Sequence, residues 1–281
     1  MNIAIYGKGG IGKSTIASNI AAFLGYHHHN VLLVGCDPKS DSTILLSGTD
    51  SKTLLEQIND SNIKTDHFLK KGKYHVDCIE MGGPAPGVGC AGRGIISGIK
   101  ILSELEIIDK KKYDYVIFDI LGDVVCGGFF EPLKSGFVDV LYIVTSGEFN
   151  SLFAANNLCR GYVNCRLAGK GVAFGGIIAN CRGIQHEMEI ISAFCNLIGV
   201  PLVCTFPRDG KIEMSTFLGK PIVEMMDENP SYKELYGILN FFSKHIENSQ
   251  LTTIPQPVSL PELRDLFSSI YTNSESKLKV L

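Results

Sequence analysis

Short apolar runs alternate along the chain with longer segments in which apolar residues recur at every third or fourth position. The apolar runs predict strands at Asn2–Tyr6, Val31–Gly35, Tyr74–Glu80, Tyr115–Phe118, Val138–Thr145, Val172–Ala179 and Leu202–Phe206. The helical spacing predicts helices at Ser14–Leu24, Ile95–Leu105, Asn150–Asn164, Glu187–Ile198, Tyr232–Ile246 and Pro261–Tyr271. Strands that alternate with helices in this way are typical of a doubly wound α/β domain, with a mostly parallel sheet and helices on both faces.

Composition and charge narrow the class of protein. The chain has 281 residues, of which 45% are hydrophobic and 20% are charged, which is enough for one large core. We therefore expect a single domain over residues 1–270 and a C-terminal surface tail over residues 271–281. A net charge of −3 disfavours a nucleic-acid partner. Because no run is apolar and long enough to cross a bilayer, and none resembles a signal peptide, we expect a cytoplasmic protein without a membrane partner.

The first predicted strand leads into a glycine-rich motif. Its residues are Gly7, Lys8, Gly9, Gly10, Ile11, Gly12, Lys13, Ser14 and Thr15. They match GxxxxGK[ST], in which backbone N–H groups surround a phosphate, the lysine reaches the outer phosphates and the Ser/Thr hydroxyl binds Mg²⁺. We therefore predict a P-loop NTPase. With Lys8, the motif resembles the deviant Walker A form of a family of dimeric ATPases. This resemblance implies a dimer in which the early lysine reaches the other subunit's nucleotide; a solvated loop lysine is the alternative.

Acidic residues follow two further strands. Asp37 and Asp41 lie just after Gly35, and Asp119 closes the apolar run Tyr115–Phe118 as a Walker-B carboxylate does. Open α/β sheets bind ligands at the carboxyl ends of their strands. These carboxylates are therefore candidates for contact with Mg²⁺ or water near the phosphates.

Two polar segments at later strand ends are candidates for contact with the nucleotide base. One is Asn180, for which a turn-forming role is the alternative. The other consists of Pro207, Arg208 and Asp209. The run His27–His29 lies between the first helix and the second strand. Because three adjacent histidines on a regular element cannot all face one ion, we interpret this run as a solvated turn.

Nine cysteines are scattered along the chain, without a CxxC pair. Only Cys90 and Cys126 lie in glycine-rich loops at strand ends, and Cys90 precedes a predicted helix whose N–H groups stabilise a thiolate. A [4Fe-4S] cluster generally takes four thiolates. Two thiolates from each of two chains related by a twofold axis would supply them. Zinc accepts the same four sulfurs and stays an alternative.

The stretch 118–129 connects both kinds of chemistry. Asp119 and Cys126 are separated by seven positions in one short loop with several glycines. A change at a bound phosphate can therefore reach the metal through this stretch. We expect a nucleotide-gated electron donor.

Six segments together carry a resemblance to a known family. They are KGGIGKST (8–15), GCDPKSDST (35–43), GGPAPGVGCAGRG (82–94), DILGDVVCGGF (119–129), SGE followed by AANN (146–157) and PRD (207–209). In order and spacing, over roughly residues 1–270, they resemble the nitrogenase iron protein family, or dinitrogenase reductases, and the related nitrogenase-like reductase subunits. The resemblance implies a homodimer with one interfacial [4Fe-4S] cluster, MgATP in each subunit, and hydrolysis coupled to single-electron transfer. The acceptor would be a larger nitrogenase or nitrogenase-like metalloprotein, and the donor a ferredoxin or flavodoxin.

The resemblance also implies roles for individual residues. Cys90 and Cys126 would hold the cluster, and Arg93 matches an arginine that is ADP-ribosylated in some members. Lys13 and Ser14 would bind phosphate and Mg²⁺, and Lys8 would reach the nucleotide of the other subunit. Asp37, Asp41 and Asp119 would line the segments that change conformation with the nucleotide. Asp123 would activate water.

Some positions depart from the family pattern. Gly210 replaces the Asn that usually follows Pro-Arg-Asp, Ala85 replaces a glutamate before the first cysteine, and residues 149–153 resemble reductase subunits that serve tetrapyrrole enzymes. A nitrogenase-like reductase is therefore the alternative, acting in protochlorophyllide or chlorophyllide reduction, nickel-tetrapyrrole cyclisation or a similar reduction. A third hypothesis is a non-redox deviant Walker A ATPase that acts as a positioning or scaffold protein.

Overall fold

A computed structural model describes residues 1–48, 52–57, 64–83, 91–108, 111–122, 128–167, 171–248 and 253–278. Its strands are β1 (Asn2–Gly7), β2 (Val31–Gly35), β3 (Lys70–Lys71), β4 (Val76–Glu80), β5 (Tyr115–Leu121), β6 (Val140–Thr145), β7 (Ala173–Asn180) and β8 (Leu202–Phe206). They form one sheet in the order β3-β4-β2-β5-β1-β6-β7-β8. All pairs are parallel except the short edge pair of β3 and β4.

Helices cover both faces of the sheet. The described helices are α1 (Lys13–Tyr26), α2 (Ile44–Ser47), α3 (Leu54–Gln57), α4 (Ala91–Glu104), α5 (Glu131–Lys134), α6 (Phe149–Leu167), α7 (Glu187–Leu197), α8 (Gly210–Phe217), α9 (Ile222–Glu228), α10 (Lys233–Asn248) and α11 (Leu260–Leu278). One buried cluster joins the sheet to α4, α6, α7 and α11, and a second joins it to α1, α9 and α10. None of the helices in the described part of the chain has the length and apolar character needed to cross a bilayer.

Strand β1 shows why continuous apolar runs give this architecture. Its side chains alternate between the two buried clusters, Ile3 and Ile5 on one face and Ala4 and Tyr6 on the other. A parallel strand covered on both faces must therefore be apolar throughout. The predicted α/β class, with a mostly parallel sheet covered on both faces, is confirmed.

The structure corrects several element boundaries. The pattern predicts that a strand begins at Tyr74, but Tyr74 and His75 lie in a turn with φ of 55° and 60°, and β4 starts at Val76. The pattern does not show β3, which is too short for alternation, and it does not show α8 and α9. It ends the last helix at Tyr271, whereas α11 continues to Leu278.

The longer α11 also bears on the predicted tail. The boundary proposed between residues 270 and 271 falls inside this helix. The division into a domain and a tail stays a prediction, because the side chains beyond residue 272 are not described.

A buried asparagine fastens the segment before α11 to the domain. The Asn156 side chain donates to the Val258 carbonyl at 2.8 Å, and its Oδ1 accepts the Val258 N–H at 2.9 Å. Asn156 is 1% exposed. One side chain thus bonds both backbone groups of a residue that lies outside regular secondary structure, and the Arg160 guanidinium also donates to the Val258 carbonyl.

We expect Asn156→Leu to lower the free energy of unfolding by about 2 kcal/mol, since the buried N–H of Val258 loses its acceptor and the Val258 carbonyl keeps only the Arg160 guanidinium. Urea denaturation followed by circular dichroism measures the change. Asn164→Leu, at an exposed position on the same helix α6, is the control. Equal losses in both variants would contradict the assigned role of Asn156.

Candidate functional site

Six of the segments that carry predicted site residues begin at the carboxyl edge of the sheet. They follow β1, β2, β4, β5, β7 and β8, which run parallel. Parallel strands bring their carboxyl ends to one edge, where open α/β sheets bind ligands. This edge therefore collects the described residues that the sequence pattern singled out.

The loop after β1 has the conformation of a phosphate cradle. Gly10 and Gly12 have φ of 73° and 88°, in the left-handed region that favours glycine. The loop closes through the Ile11 N–H, which donates to the Lys8 carbonyl at 3.2 Å. Helix α1 begins at Lys13, so the N–H groups of its first turn face the loop and favour an anion.

Two carboxylates flank the lysine of this loop. The Lys13 Nζ lies 3.8 Å from Asp37 Oδ2 and 3.7 Å from Asp119 Oδ1. All three side chains are buried. The structure therefore brings together three of the predicted site residues, which lie after β1, after β2 and within the last three residues of β5.

Asp119 is the most deeply buried of these groups. Its Oδ2 accepts from the Ser42 hydroxyl at 2.7 Å, whereas Oδ1 has no hydrogen-bond partner among the described residues. Burial raises the pKa of Asp119, and Lys13 and the hydroxyls of Ser14 and Ser42 partly offset the rise. A buried carboxylate oxygen without a donor, beside a P-loop, suits the coordination shell of Mg²⁺, either directly or through water.

The segment after β2 is held by its own first carboxylate. Asp37 Oδ1 accepts the Lys39 N–H at 3.0 Å, and the Asp37 carbonyl accepts the Ser40 N–H at 3.0 Å. Asp41 lies on the exposed side of this segment, and Lys8 is also exposed. Both side chains are therefore open to groups outside this chain.

A cleft of about 400 Å³ opens beside the P-loop and α1. Its lining includes Gly12, Thr15, Asn180, Pro207, Arg208 and Asp209. Asn180 Nδ2 donates to the Ile11 carbonyl at 2.6 Å, and the volume lies within the range of small-molecule pockets. The predicted base-binding segments thus border one cleft next to the phosphate cradle, and their contact with a base stays a prediction.

Two of these side chains already have structural partners. The Asp209 carboxylate caps α8 by accepting the Lys211 N–H at 2.8 Å. Arg208 pairs with Glu213 at 2.6 Å on the surface. Gly210 begins α8 in this arrangement, so the departure from the family's Asn leaves the helix cap in place.

The predicted cluster ligands Cys90 and Cys126, and the predicted catalytic Asp123, lie outside the described residues. The seven described cysteines are poor candidates for thiolate ligands. Burial raises the pKa of each of their thiols, to about 11 for Cys181 and about 12 for Cys78. No group of three metal-binding side chains occurs among the residues that the structure describes.

The flanks of the two cysteine loops do touch. A Cβ added to Gly128, two residues after Cys126, would lie 2.5 Å from the carbonyl oxygen of Gly92, two residues after Cys90. Only glycine permits so close an approach of two backbones. The fold therefore brings residues that follow the two predicted ligands into contact within one chain. Arg93, at the start of α4, is exposed.

Sequence reasoning missed Glu80. This residue ends β4 and is 1% exposed, and its Oε1 accepts the Thr43 N–H at 2.6 Å. Burial raises the pKa of Glu80 to about 7. The hydrogen bonds from Thr43 lower this pKa, whereas the negative charges of Asp119 and Asp41 raise it further. The signal was available, because an acidic residue at the carboxyl end of an apolar strand is the same pattern that identified Asp119.

Comparison with known proteins gives a family match over almost the whole chain. Residues 1–273 match the model described as "4Fe-4S iron sulfur cluster binding proteins, NifH/frxC family". Nitrogenase iron protein 2 of Methanobacterium ivanovii is 43% identical over 266 residues, covering 94% of this chain and 97% of the relative. Nitrogenase iron protein 1 of Methanothermobacter thermautotrophicus is 42% identical over 272 residues, with coverages of 94% and 96%.

Solved structures with a similar fold are more distant in sequence. The septum site-determining protein MinD of Pyrococcus horikoshii has a TM-score of 0.65 at 22% identity and covers 86% of this chain and 96% of its own. A ParA family ATPase from Chlorobium tepidum has a TM-score of 0.64 at 24% identity, with coverages of 85% and 97%. These likenesses confirm the predicted P-loop NTPase fold.

We expect Glu80→Gln to stabilise the nucleotide-free protein at pH 8 but not near pH 5. The native carboxyl keeps its proton up to a pKa of about 7, whereas the unfolded one releases it near 4.5. Raising the pH between these values therefore lowers wild-type stability, by about 3 kcal/mol at most. Glutamine has no proton to lose. Urea unfolding from pH 5 to 8 measures the difference.

The exposed Glu234→Gln variant controls for the loss of one negative charge in that experiment. A difference between wild type and Glu80→Gln that stayed constant over the whole pH range would show that Glu80 does not hold a proton in the folded state.

Proposed function

The chain belongs to the NifH/frxC family of 4Fe-4S iron–sulfur cluster binding proteins, and from this premise we propose that it donates single electrons to a nitrogenase-type partner in steps driven by MgATP. It is an ATP-hydrolysing iron–sulfur oxidoreductase. The observation that carries the proposal is the convergence at one sheet edge of the P-loop, the Lys13–Asp119 pair and the flanks of both cysteine loops.

The nucleotide half of the mechanism follows from the cradle. Backbone N–H groups of residues 9–13 bind the phosphates, Lys13 neutralises their charge, and the Ser14 hydroxyl holds Mg²⁺. A phosphate that attracts Lys13 weakens the attraction between Lys13 and the carboxylates of Asp37 and Asp119. The loops that follow β2 and β5 thereby sense whether a triphosphate is bound.

Lys8 and Asp123 complete this half as proposals. Lys8 is exposed, so its ammonium group can reach the nucleotide of a second copy of the chain, as the resemblance implies. Asp123 would orient and deprotonate the attacking water. Asp41 would complete the shell of the bound Mg²⁺ or its water.

Cys90 and Cys126 would hold the cluster, two thiolates from each subunit of a homodimer. The raised thiol pKa of the described cysteines supports this choice, and so does the contact between Gly92 and Gly128. When bound, the cluster supplies one electron at a time. The chain's own part is to hold the sulfurs, to shield them and to change their surroundings when the loops move.

The partner is the least constrained part of the proposal. The curated relatives are named nitrogenase iron proteins, and the exposed Arg93 suits a docking face. The segment 149–153, which resembles the tetrapyrrole-type reductases, favours the nitrogenase-like alternative; its Phe153 is 36% exposed and stacks on Phe149. A ferredoxin or flavodoxin would return the electron to this protein.

Anaerobic purification tests the cluster. We expect about four iron and four sulfide per dimer, an EPR signal on reduction, and chelation of the iron at a rate that MgATP changes. Iron is lost in Cys90→Ser and Cys126→Ser. Cys181→Ser, which removes a half-buried cysteine lining the cleft, keeps its iron. Zinc in place of iron, or wild-type protein without metal, would refute the proposal.

Reduction assays with purified partner proteins then separate the two functions. Electron delivery to a dinitrogen-reducing protein supports a nitrogenase reductase, and delivery only to a tetrapyrrole-reducing protein supports the alternative. Transfer to none of them, from cluster-loaded protein, would leave the scaffold hypothesis.

Inserting two glycines between Asp123 and Cys126 should uncouple hydrolysis from electron delivery. The longer loop no longer transmits a movement that begins at Asp119. We therefore expect ATP hydrolysis to continue while the rate of electron transfer to the partner falls at least about tenfold, a factor within the usual range for coupling between two sites. Iron content and both rates are measured on the same preparation. Unchanged ATP-dependent transfer from a fully loaded variant would contradict this link.

A further inference from the structure

The residue that sequence reasoning missed connects two loops of the site. Glu80 ends β4, and the chain reaches Cys90 ten residues later. Its carboxylate accepts the N–H of Thr43, which closes the segment 37–43 after β2. A buried hydrogen bond therefore joins the segment that senses the nucleotide to the strand that leads to the first predicted cluster ligand.

Ser42 and Thr43 form hydrogen bonds with three different elements. The Ser42 carbonyl accepts from the Ser18 hydroxyl on α1 at 2.6 Å. The Ser42 hydroxyl donates to Asp119 on β5, and the Thr43 N–H donates to Glu80 on β4. A displacement of this dipeptide is therefore transmitted to both strands that precede cysteine loops.

A second contact joins the same two segments. A Cβ added to Gly83 would lie 2.6 Å from the Cβ of Pro38, so the backbone of Gly83 packs directly against the segment after β2. Gly82 supports this approach with a φ of 77°. Residues 80 and 83 thus hold the start of the first cysteine loop against the segment 37–43 at two points.

The site is shaped around the Glu80 carboxylate. A Cβ on Gly35 would overlap Glu80 Oε2, so any other residue at position 35 would displace the carboxylate. Oε2 has no hydrogen-bond partner within the described part of the chain. A buried acidic group that satisfies only one of its oxygens is costly to keep, and this arrangement indicates a role beyond packing.

We propose that Glu80 and Gly83 form a second route from the nucleotide to the cluster region, which runs through the segment 37–43 to the loop of Cys90. It rests on the proposed function and is separate from the route through Asp119 to Cys126. Glu80 acts in it as a positioning residue. Its hydrogen bond to Thr43 carries the movement, and the contact between Gly83 and Pro38 keeps the two segments in register.

Hydrogen exchange on the cluster-loaded dimer tests the second route. Exchange of peptides covering residues 81–94 and 120–130 is compared with MgADP and with a non-hydrolysable MgATP analogue. In wild type we expect both peptides to respond. Glu80→Met removes the acceptor at similar volume, and it should reduce the response of 81–94 at least about threefold, the factor that one lost hydrogen bond supports. The response of 120–130 should fall less, because its own route through Asp119 is intact.

Two further substitutions separate positioning from general stability. Glu80→Gln keeps an oxygen that accepts from Thr43, so it should respond like wild type. Gly83→Ala forces Pro38 away and should weaken the response of 81–94 even if Glu80→Met fails to load iron. Gly237→Ala on α10 is the matched control, because an added Cβ there meets no described atom within 4 Å.

The outcomes distinguish this route from the function on which it rests. A full response of 81–94 in both Glu80→Met and Gly83→Ala, or an equal loss in both peptides, would overturn the second route. Wild-type protein without iron, or without any response to nucleotide, would instead overturn the proposed function.

Discussion

The site depends on a carboxylate that has no contact with solvent. Asp119 is 0% exposed near the end of the central strand β5, where an unbalanced charge is costly. Its charge is balanced by Lys13 from the P-loop and by hydroxyls from α1 and from the segment after β2. The electrostatic balance of one residue therefore ties together three elements of the proposed nucleotide site. Any ligand that draws Lys13 away changes the forces on all of them.

Glu80 extends this dependence to a fourth strand. Two buried acids, Asp119 and Glu80, are linked through the consecutive residues Ser42 and Thr43. The charge of Asp119 contributes to the raised pKa of Glu80, because like charges repel in a poorly solvated site. The segment 37–43 therefore connects β4 and β5 through hydrogen bonds to their carboxylates, in addition to β2, which pairs with both strands. A nucleotide switch built this way acts on two strand ends at once.

The residues that could be predicted from sequence are those whose signal is local. The P-loop glycines, the apolar strands and Asp119 at a strand end all follow from short patterns, and the structure places the described ones at one sheet edge. The contact of Gly83 with Pro38, and that of Gly128 with Gly92, join residues distant in sequence. No periodicity reports such contacts. Glu80, like Asp119, is an acidic residue after an apolar run, but no recognisable motif surrounds it. Tyr74 misled the strand prediction, because an aromatic residue in a tight turn resembles the start of a strand.

The contact between Gly92 and Gly128 decides how the two routes combine. The backbones touch so closely that a methyl group at position 128 has no room, so a loop on one side cannot shift toward the other without displacing it. On the two proposed routes, a movement that starts at Asp119 and one that starts at Thr43 would arrive at the same contact. If only one strand end moved, the other loop would oppose it through this contact. The cluster region of the proposed electron donor should accordingly respond most when both segments move together, which a bound triphosphate achieves because Lys13 faces Asp37 and Asp119 at the same time.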